Sequence, residues 1–207
     1  MTLLDPNDLG SVRAFVGVPL PDAVLEHLAD VQRTIAKASG RAVKWVDSET
    51  MHLTLEFLGD VPRWVLEDLP PALDEALAGA QPLALETTSV GAFPNWRKPQ
   101  VVWVGLEGDI GGLRALRDTV AGALRAFGFA ADPRPYQPHL TIGRVRPKAD
   151  RDLVQKLVSA GPNVRPGRQP FTIEKVVLYR SILLPDGPEH VVLREWPLLP
   201  SHQETHP

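Results

Sequence analysis

The feature that most restricts how this chain can fold is a four-residue pattern that occurs twice, His52-Leu53-Thr54-Leu55 and His139-Leu140-Thr141-Ile142. Alternation of polar and apolar residues is the period of an extended strand, whose successive side chains point to opposite faces. Each copy is therefore two-sided. Met51, Leu53, Leu55 and Phe57 are expected to face a core, with His52 and Thr54 on the other surface; Leu140 and Ile142 stand in the same way behind His139 and Thr141. A single His-x-Thr strand ordinarily marks a hydrogen-bonded structural histidine. Two copies in a chain with only six histidines favour a shared site, with two imidazoles and two hydroxyls around one anion-sized space.

The rest of the chain reads as a frame for those strands. Arg13 to Val18 forms a strand closed by Pro19 and Pro21. After Asp22, Val24, Leu28, Val31 and Ile35 recur at helical spacing, with Gly40 as the stop. Lys44-Trp45-Val46 is a short extended piece, and His52 to Leu58 is the first motif strand. Pro62 opens a second helix along Leu66, Leu69, Leu73 and Leu77, in which Pro70-Pro71 is expected to cause a break or kink. Leu83 to Val90 returns as a strand.

The order then repeats. Val101 to Leu106 is a strand, Leu113, Leu116, Val120, Leu124 and Phe127 mark a helix, Pro138 to Val145 is the second motif strand, and Ala149 to Ala160 a helix. A single long strand is expected from Phe171 to Ile182, turned by Pro185-Asp186-Gly187-Pro188 into a hairpin with Val191 to Trp196. Strand, helix, motif strand, helix, strand in each half points to an internal duplication: two α+β lobes about a pseudo-two-fold axis, with the motif strands facing across it. Residues 11–198 are expected to form one domain, with 1–10 and 199–207 as flexible termini.

A chain of 207 residues is long enough for such a core, and it holds no cysteine, so disulfides and thiolate metal sites are excluded. The first residues carry no apolar run, and no segment reaches the roughly 18 to 20 apolar residues of a membrane span. A cytoplasmic monomer is the expectation. The net charge of -3 argues against a protein that coats nucleic acid through its overall field. Locally, however, Arg134, Arg144, Arg146, Lys148 and Arg151 surround the second motif, a basic rim suited to a few phosphates.

These residues also carry a resemblance. The paired His-x-Thr motifs, Arg13-Ala14-Phe15-Val16, Met51-His52-Leu53-Thr54-Leu55-Glu56-Phe57-Leu58-Gly59 and Pro138-His139-Leu140-Thr141-Ile142-Gly143-Arg144 resemble the 2H phosphoesterase superfamily. Within it, the chain is most similar to the bacterial RNA 2',3'-cyclic phosphodiesterases, historically called 2'-5' RNA ligases. The resemblance implies a bilobal α+β fold with two mostly antiparallel sheets flanking a central cleft and helices outside. It also implies hydrolysis of RNA 2',3'-cyclic phosphate ends to 2'-phosphomonoesters without metal or other cofactor. By the same resemblance His52 is the proton donor, His139 the proton acceptor, and Thr54, Thr141 and Arg144 are phosphate ligands. Strict alternation would turn Arg144 away from the cleft, so the strand is expected to end or bulge at Gly143.

Further contacts to RNA are weighed from residue type alone. Phe15 is a candidate base-stacking residue or a core aromatic; Tyr136 and Tyr179 share that ambiguity. In the loop Pro94 to Pro99, Trp96 and Arg97 combine an aromatic with a cation, as single-stranded RNA sites do and as exposed turns also do. Competing readings are a metal hydrolase and a non-catalytic module that binds RNA ends. The first is disfavoured because no His-Glu-x-x-His is present and Glu56, in the first motif alone, is the acidic neighbour to be weighed on the motif face. Ligation at the same site, with a sugar hydroxyl in place of water, is a third.

Overall fold

Runs rich in β-branched and aromatic residues alternate with helical stripes of leucine and valine, and they fold as that alternation dictates. The computed structural model describes residues 10–130, 134–185 and 187–200. Its elements are β1 (Ser11–Pro19), α1 (Asp22–Ser39), β2 (Val43–Trp45), β3 (His52–Pro62), α2 (Arg63–Ala76), β4 (Leu83–Phe93), β5 (Val101–Gly108), α3 (Ile110–Arg125), β6 (His139–Val145), α4 (Arg151–Ala160), β7 (Pro170–Ile173), β8 (Lys175–Leu184) and β9 (Gly187–Pro197). Asp186, within the expected turn, and most of both termini lie outside the described residues; the Leu199 amide donates to the Ala80 carbonyl at 3.2 Å.

The strands form one antiparallel sheet in the order β7-β4-β5-β6-β3-β1-β8-β9, with β2 paired to β6. The two motif strands, β3 and β6, are neighbours at its centre, and they meet through a single register pair, Leu53 opposite Leu140. The two sheets expected from the sequence are thus the halves of one sheet, joined at the motifs. Each repeat sends its last strand to the other half: β4 pairs with β5, and β8 pairs with β1. The helices follow the same exchange, α1 packing on α4 and α2 on α3.

That exchange explains why the long strand expected over 171–182 is two. Residues of β7 pair with β4 while those of β8 pair with β1 and β9, near opposite ends of the sheet order, with Glu174 alone between them. No single straight strand could serve both partners, and the sheet curls far enough for its two ends to meet there. The Glu174 carbonyl, outside both ladders, accepts from the Leu198 amide at 2.8 Å.

The break expected at Pro70-Pro71 is absent, and α2 runs through both prolines. An interior proline costs a helix about 3 kcal/mol. Val65, Leu66, Leu69 and Leu73 are all buried along one stripe, and each such side chain contributes roughly 1.5–3 kcal/mol, so packing outweighs the defect. Pro71 faces solvent. Pro71→Ala is therefore expected to stabilise the fold by about 1–3 kcal/mol, read as a higher urea midpoint with an unchanged slope.

The motif strands share one burial order: half-buried His, buried Leu, half-buried Thr, then two consecutive buried residues and an exposed one. The doubled buried position is a β-bulge. On β3, Val16 pairs with Glu56 and Gly17 with Thr54, leaving Leu55 extra; on β6, Val102 pairs with Gly143 and Trp103 with Thr141, leaving Ile142 extra. An extra residue reverses the faces beyond it. Met51, Leu53 and Leu55 lie in the core as expected, but Phe57 does not: it is 52% exposed, because the bulge turns it to the cleft side and sends Glu56 inward to pair with Arg117 of α3 at 2.9 Å. Both bulges are fixed by side chains that satisfy their carbonyls. Gln32 of α1 donates to the Ile142 carbonyl at 2.9 Å, and the Tyr136 hydroxyl to the Thr54 carbonyl at 2.9 Å.

Candidate active site

The two histidines are anchored by the same local device. His52 Nδ1 lies 2.8 Å from the Thr50 carbonyl oxygen and His139 Nδ1 lies 2.8 Å from that of Gln137, in each case two residues back along the chain. A carbonyl oxygen only accepts, so Nδ1 carries the proton in both rings and Nε2 is left as the nitrogen free to act. Around His52, Phe15 of β1 stacks at 4.4 Å between ring centroids, Tyr179 of β8 packs beside Phe15 at 4.9 Å and lies 6.3 Å from His52, and His190 of β9 meets the imidazole edge-on at 5.0 Å and 87°. Around His139, Phe93 of β4 takes the edge-on position at 4.8 Å and 86°.

His52, Thr54, His139, Thr141, Arg144 and Phe15 line one cleft of about 770 Å³, within the few hundred to about 1,000 Å³ usual for small-molecule sites. Arg13, Lys44, Phe57 and His190 are also among its walls. A smaller hollow of about 440 Å³ lies beside Trp196 and holds Asp74 but no imidazole. Arg144 reaches the cleft through the bulge expected near Gly143, which falls at Ile142. Lys44 sits opposite Arg144 in the β2–β6 ladder, so that end of the cleft is cationic. Phe57, five residues after His52 as Arg144 is after His139, makes the opposite end aromatic, with the Arg13 guanidinium 4.6 Å from its ring centre.

Burial dominates the electrostatics. It pushes the His52 pKa down to about 4, opposed by the bond to the Thr50 carbonyl and reinforced by His190, His139 and Arg144. His139 is also lowered, first by burial and then by Arg144, against the bond to Gln137. With both pKa values lowered, both rings are neutral near pH 7, each offering an Nε2 lone pair; an anion bound between them would favour the charged forms. Among the described residues no group of three or more His, Asp or Glu side chains is placed to hold a metal ion, and no helix is long and apolar enough to cross a membrane.

Three residues considered as RNA contacts lie elsewhere. Tyr136 is committed to the fold: its hydroxyl bonds the Thr54 carbonyl and Arg117 lies 5.6 Å from its ring centre. Trp96 packs so closely over Gly161 that a Cβ there would come within 2.3 Å of its ring. Arg97 is exposed on the 94–99 loop and is not among the cleft-lining residues. Sequence reasoning missed Phe57, Arg13, Lys44 and His190. The bulge inferred for Arg144, applied to the same offset in the first motif, would have found Phe57. Nothing local marks His190, which depends on β9 lying two strands from β1.

The geometry can be compared with known proteins. A family model described as the 2'-5' RNA ligase superfamily matches residues 20–182. The RNA 2',3'-cyclic phosphodiesterase of Methanothermobacter thermautotrophicus is 34% identical over 177 residues, 86% of this chain and 94% of that protein; that of Archaeoglobus fulgidus is 34% identical over 185 residues, 88% and 98%. Among solved structures, TT0787 of Thermus thermophilus superposes with a TM-score of 0.77 at 27% identity over 92% of this chain and all of that one, 100%. LigT of E. coli complexed with NADP+ gives a TM-score of 0.67 at 25% identity, covering 91% and 98%. With the match spanning most of its length and both His-x-Thr strands meeting in one cleft, the chain belongs to the 2'-5' RNA ligase superfamily, the 2H phosphoesterases.

Proposed function

We propose that this protein hydrolyses the 2',3'-cyclic phosphate at RNA 3' ends to a 2'-phosphomonoester, by acid-base catalysis between two histidines and without a metal ion. The observation that carries this reading is the pair of imidazoles on adjacent strands of one cleft, each tied at Nδ1 to a backbone carbonyl and so presenting Nε2. His139 takes a proton from water as its oxygen bonds to phosphorus, and His52 gives a proton to O3' as the P–O3' bond breaks. A donor of lowered pKa surrenders its proton readily, and the bound phosphate anion is what lets it hold that proton until then. Thr54, Thr141 and Arg144 donate to the non-bridging oxygens as charge builds on them. Phe57, 52% exposed, offers a ring face to a base, whereas Phe15, 3% exposed and packed against His52 and Tyr179, holds the His52 imidazole in place. The relatives named as RNA 2',3'-cyclic phosphodiesterases support the reaction class.

The same proposal takes the protein to act as a monomer, with residues 11–198 working as one domain of two intertwined lobes. We place this activity in the cytoplasm, on RNA ends that bear the cyclic phosphate. The test is an RNA oligonucleotide ending in a 2',3'-cyclic phosphate, incubated with the protein and a strong chelator. A 2'-phosphomonoester product is expected. A 3'-phosphate product, no turnover, or activity lost to the chelator and restored by zinc would each overturn the reading.

A further inference from the structure

The two catalytic candidates share one local frame, although His52 alone also has a ring, Phe15, stacked on it. Each imidazole follows the same strand pattern, bonds a carbonyl two residues back at 2.8 Å, and has one ring set edge-on against it at nearly a right angle. Those edge-on rings are where the symmetry fails in chemistry. Phe93 beside His139 is apolar and carries no charge at any pH. His190 beside His52 is ionisable, half-buried, and lines the same cleft. It is held there by Phe15, whose ring it also meets edge-on at 4.9 Å, and by the β8–β9 hairpin, where it stands opposite Ser181.

We propose that His190 is a positioning residue that makes the two equivalent histidines unequal, its imidazole lowering the proton affinity of His52 relative to His139. The physical cause is like-charge repulsion across a contact with little water between the rings. The other charged or titratable groups facing the cleft leave room for that effect. His139 and Arg144 on β6 bear on His52 from the far side and also lower its pKa, Lys44 lies opposite Arg144, Arg13 on β1 is set over Phe57, and Asp47 lies at the cleft wall after β2. Tyr179 on β8 stays a neutral phenol, its pKa raised to about 12 by burial. His190 is itself pushed down by burial, and a proton on either of the two rings opposes one on the other.

This rests on the two-histidine reading for its consequence but not for its measurement. In His190→Phe, which keeps a ring in the edge-on position and gives His52 the same kind of edge-on partner that His139 has, the NMR titration midpoints of His52 and His139 should draw together. The His52 midpoint should rise by about half a pH unit or more, and the acidic part of the kcat/KM profile should move with it. His190→Gln, a neutral polar replacement, should give the same convergence and carries the test if the phenylalanine variant does not fold. An unchanged separation of the two midpoints in a folded variant overturns the proposal. Convergence in a protein that fails to hydrolyse any cyclic phosphate would uphold this role for His190 and instead overturn the proposed function.

Discussion

His52→Ala and His139→Ala are each expected to lower kcat at least a hundredfold, the usual worth of one acid or base being about 10² to 10⁴, with the fold retained. Both rings are half-buried at the cleft rather than in the core, so their removal leaves Leu53 and Leu140 packed behind them. The double variant should be little worse than the poorer single one, because a base without its acid, or the reverse, leaves the reaction stalled at one proton. The two roles separate with a substrate whose 3' bridging oxygen is sulfur, a leaving group that departs without protonation. That analogue should largely restore turnover to His52→Ala and leave His139→Ala inactive; the opposite pattern would exchange the roles.

On the proposed mechanism the same pair should govern pH dependence. It requires His139 neutral and His52 protonated for productive binding. Since burial lowers both in the free enzyme, His52 to about 4, the competent form is a minor one that gives way to the doubly protonated pair as pH falls and to the doubly neutral pair as pH rises. The bell for kcat/KM should therefore be centred on the acidic side of 6.5, with two steps that belong to the pair. Bound phosphate favours both imidazolium forms, so the bell for kcat should lie at higher pH. Full activity in either alanine variant, or a pH-independent rate, would end the two-histidine mechanism.

Arg144→Ala should cost about 10² to 10³ in kcat, the usual loss on removing one preorganised donor from a developing oxyanion. Arg144 is exposed, in the cleft, and opposite Lys44, so its loss removes a cation without opening a cavity, and the melting temperature should hold. Arg144→Lys should recover only part of the rate, because a point-like ammonium cannot bridge two phosphate oxygens as a planar guanidinium does. A kcat within a few fold of the parent in both variants would remove Arg144 from the phosphate site and leave the two threonines to carry it.

How much of this was legible in advance depends on whether a residue's neighbours were local. The stripe Val24, Leu28, Val31 and Ile35 became the buried face of α1, and Gly40, at φ 50, stops that helix as expected. The family, the α+β fold and the enzyme class followed from motifs whose spacing is written in the chain, and the comparisons bear them out. The helical periodicity of Leu66, Leu69 and Leu73 held across Pro70-Pro71, where those buried leucines of α2 outweigh two missing amide donors and no break occurs. Periodicity failed at Glu174, where the apolar run continues although its pairing partner changes. Phe57 misled for a similar reason, since alternation counts residues and a bulge adds one that only the facing strand reveals.

What the sequence determined by itself was the identity of the motif strands and their sidedness, because strand alternation is a property of the backbone and needs no partner. What only the tertiary structure decided was which residues join them. The register of β3 against β1 and of β6 against β5 turned Phe57 and Arg144 into the cleft, and the sheet order brought His190 beside His52 and tied Tyr136 to the back of the first motif. Those contacts span long stretches of chain, and they exist because a curled sheet buries one face under helices and folds the other around the cleft, an outcome set by the whole core rather than by any segment of it.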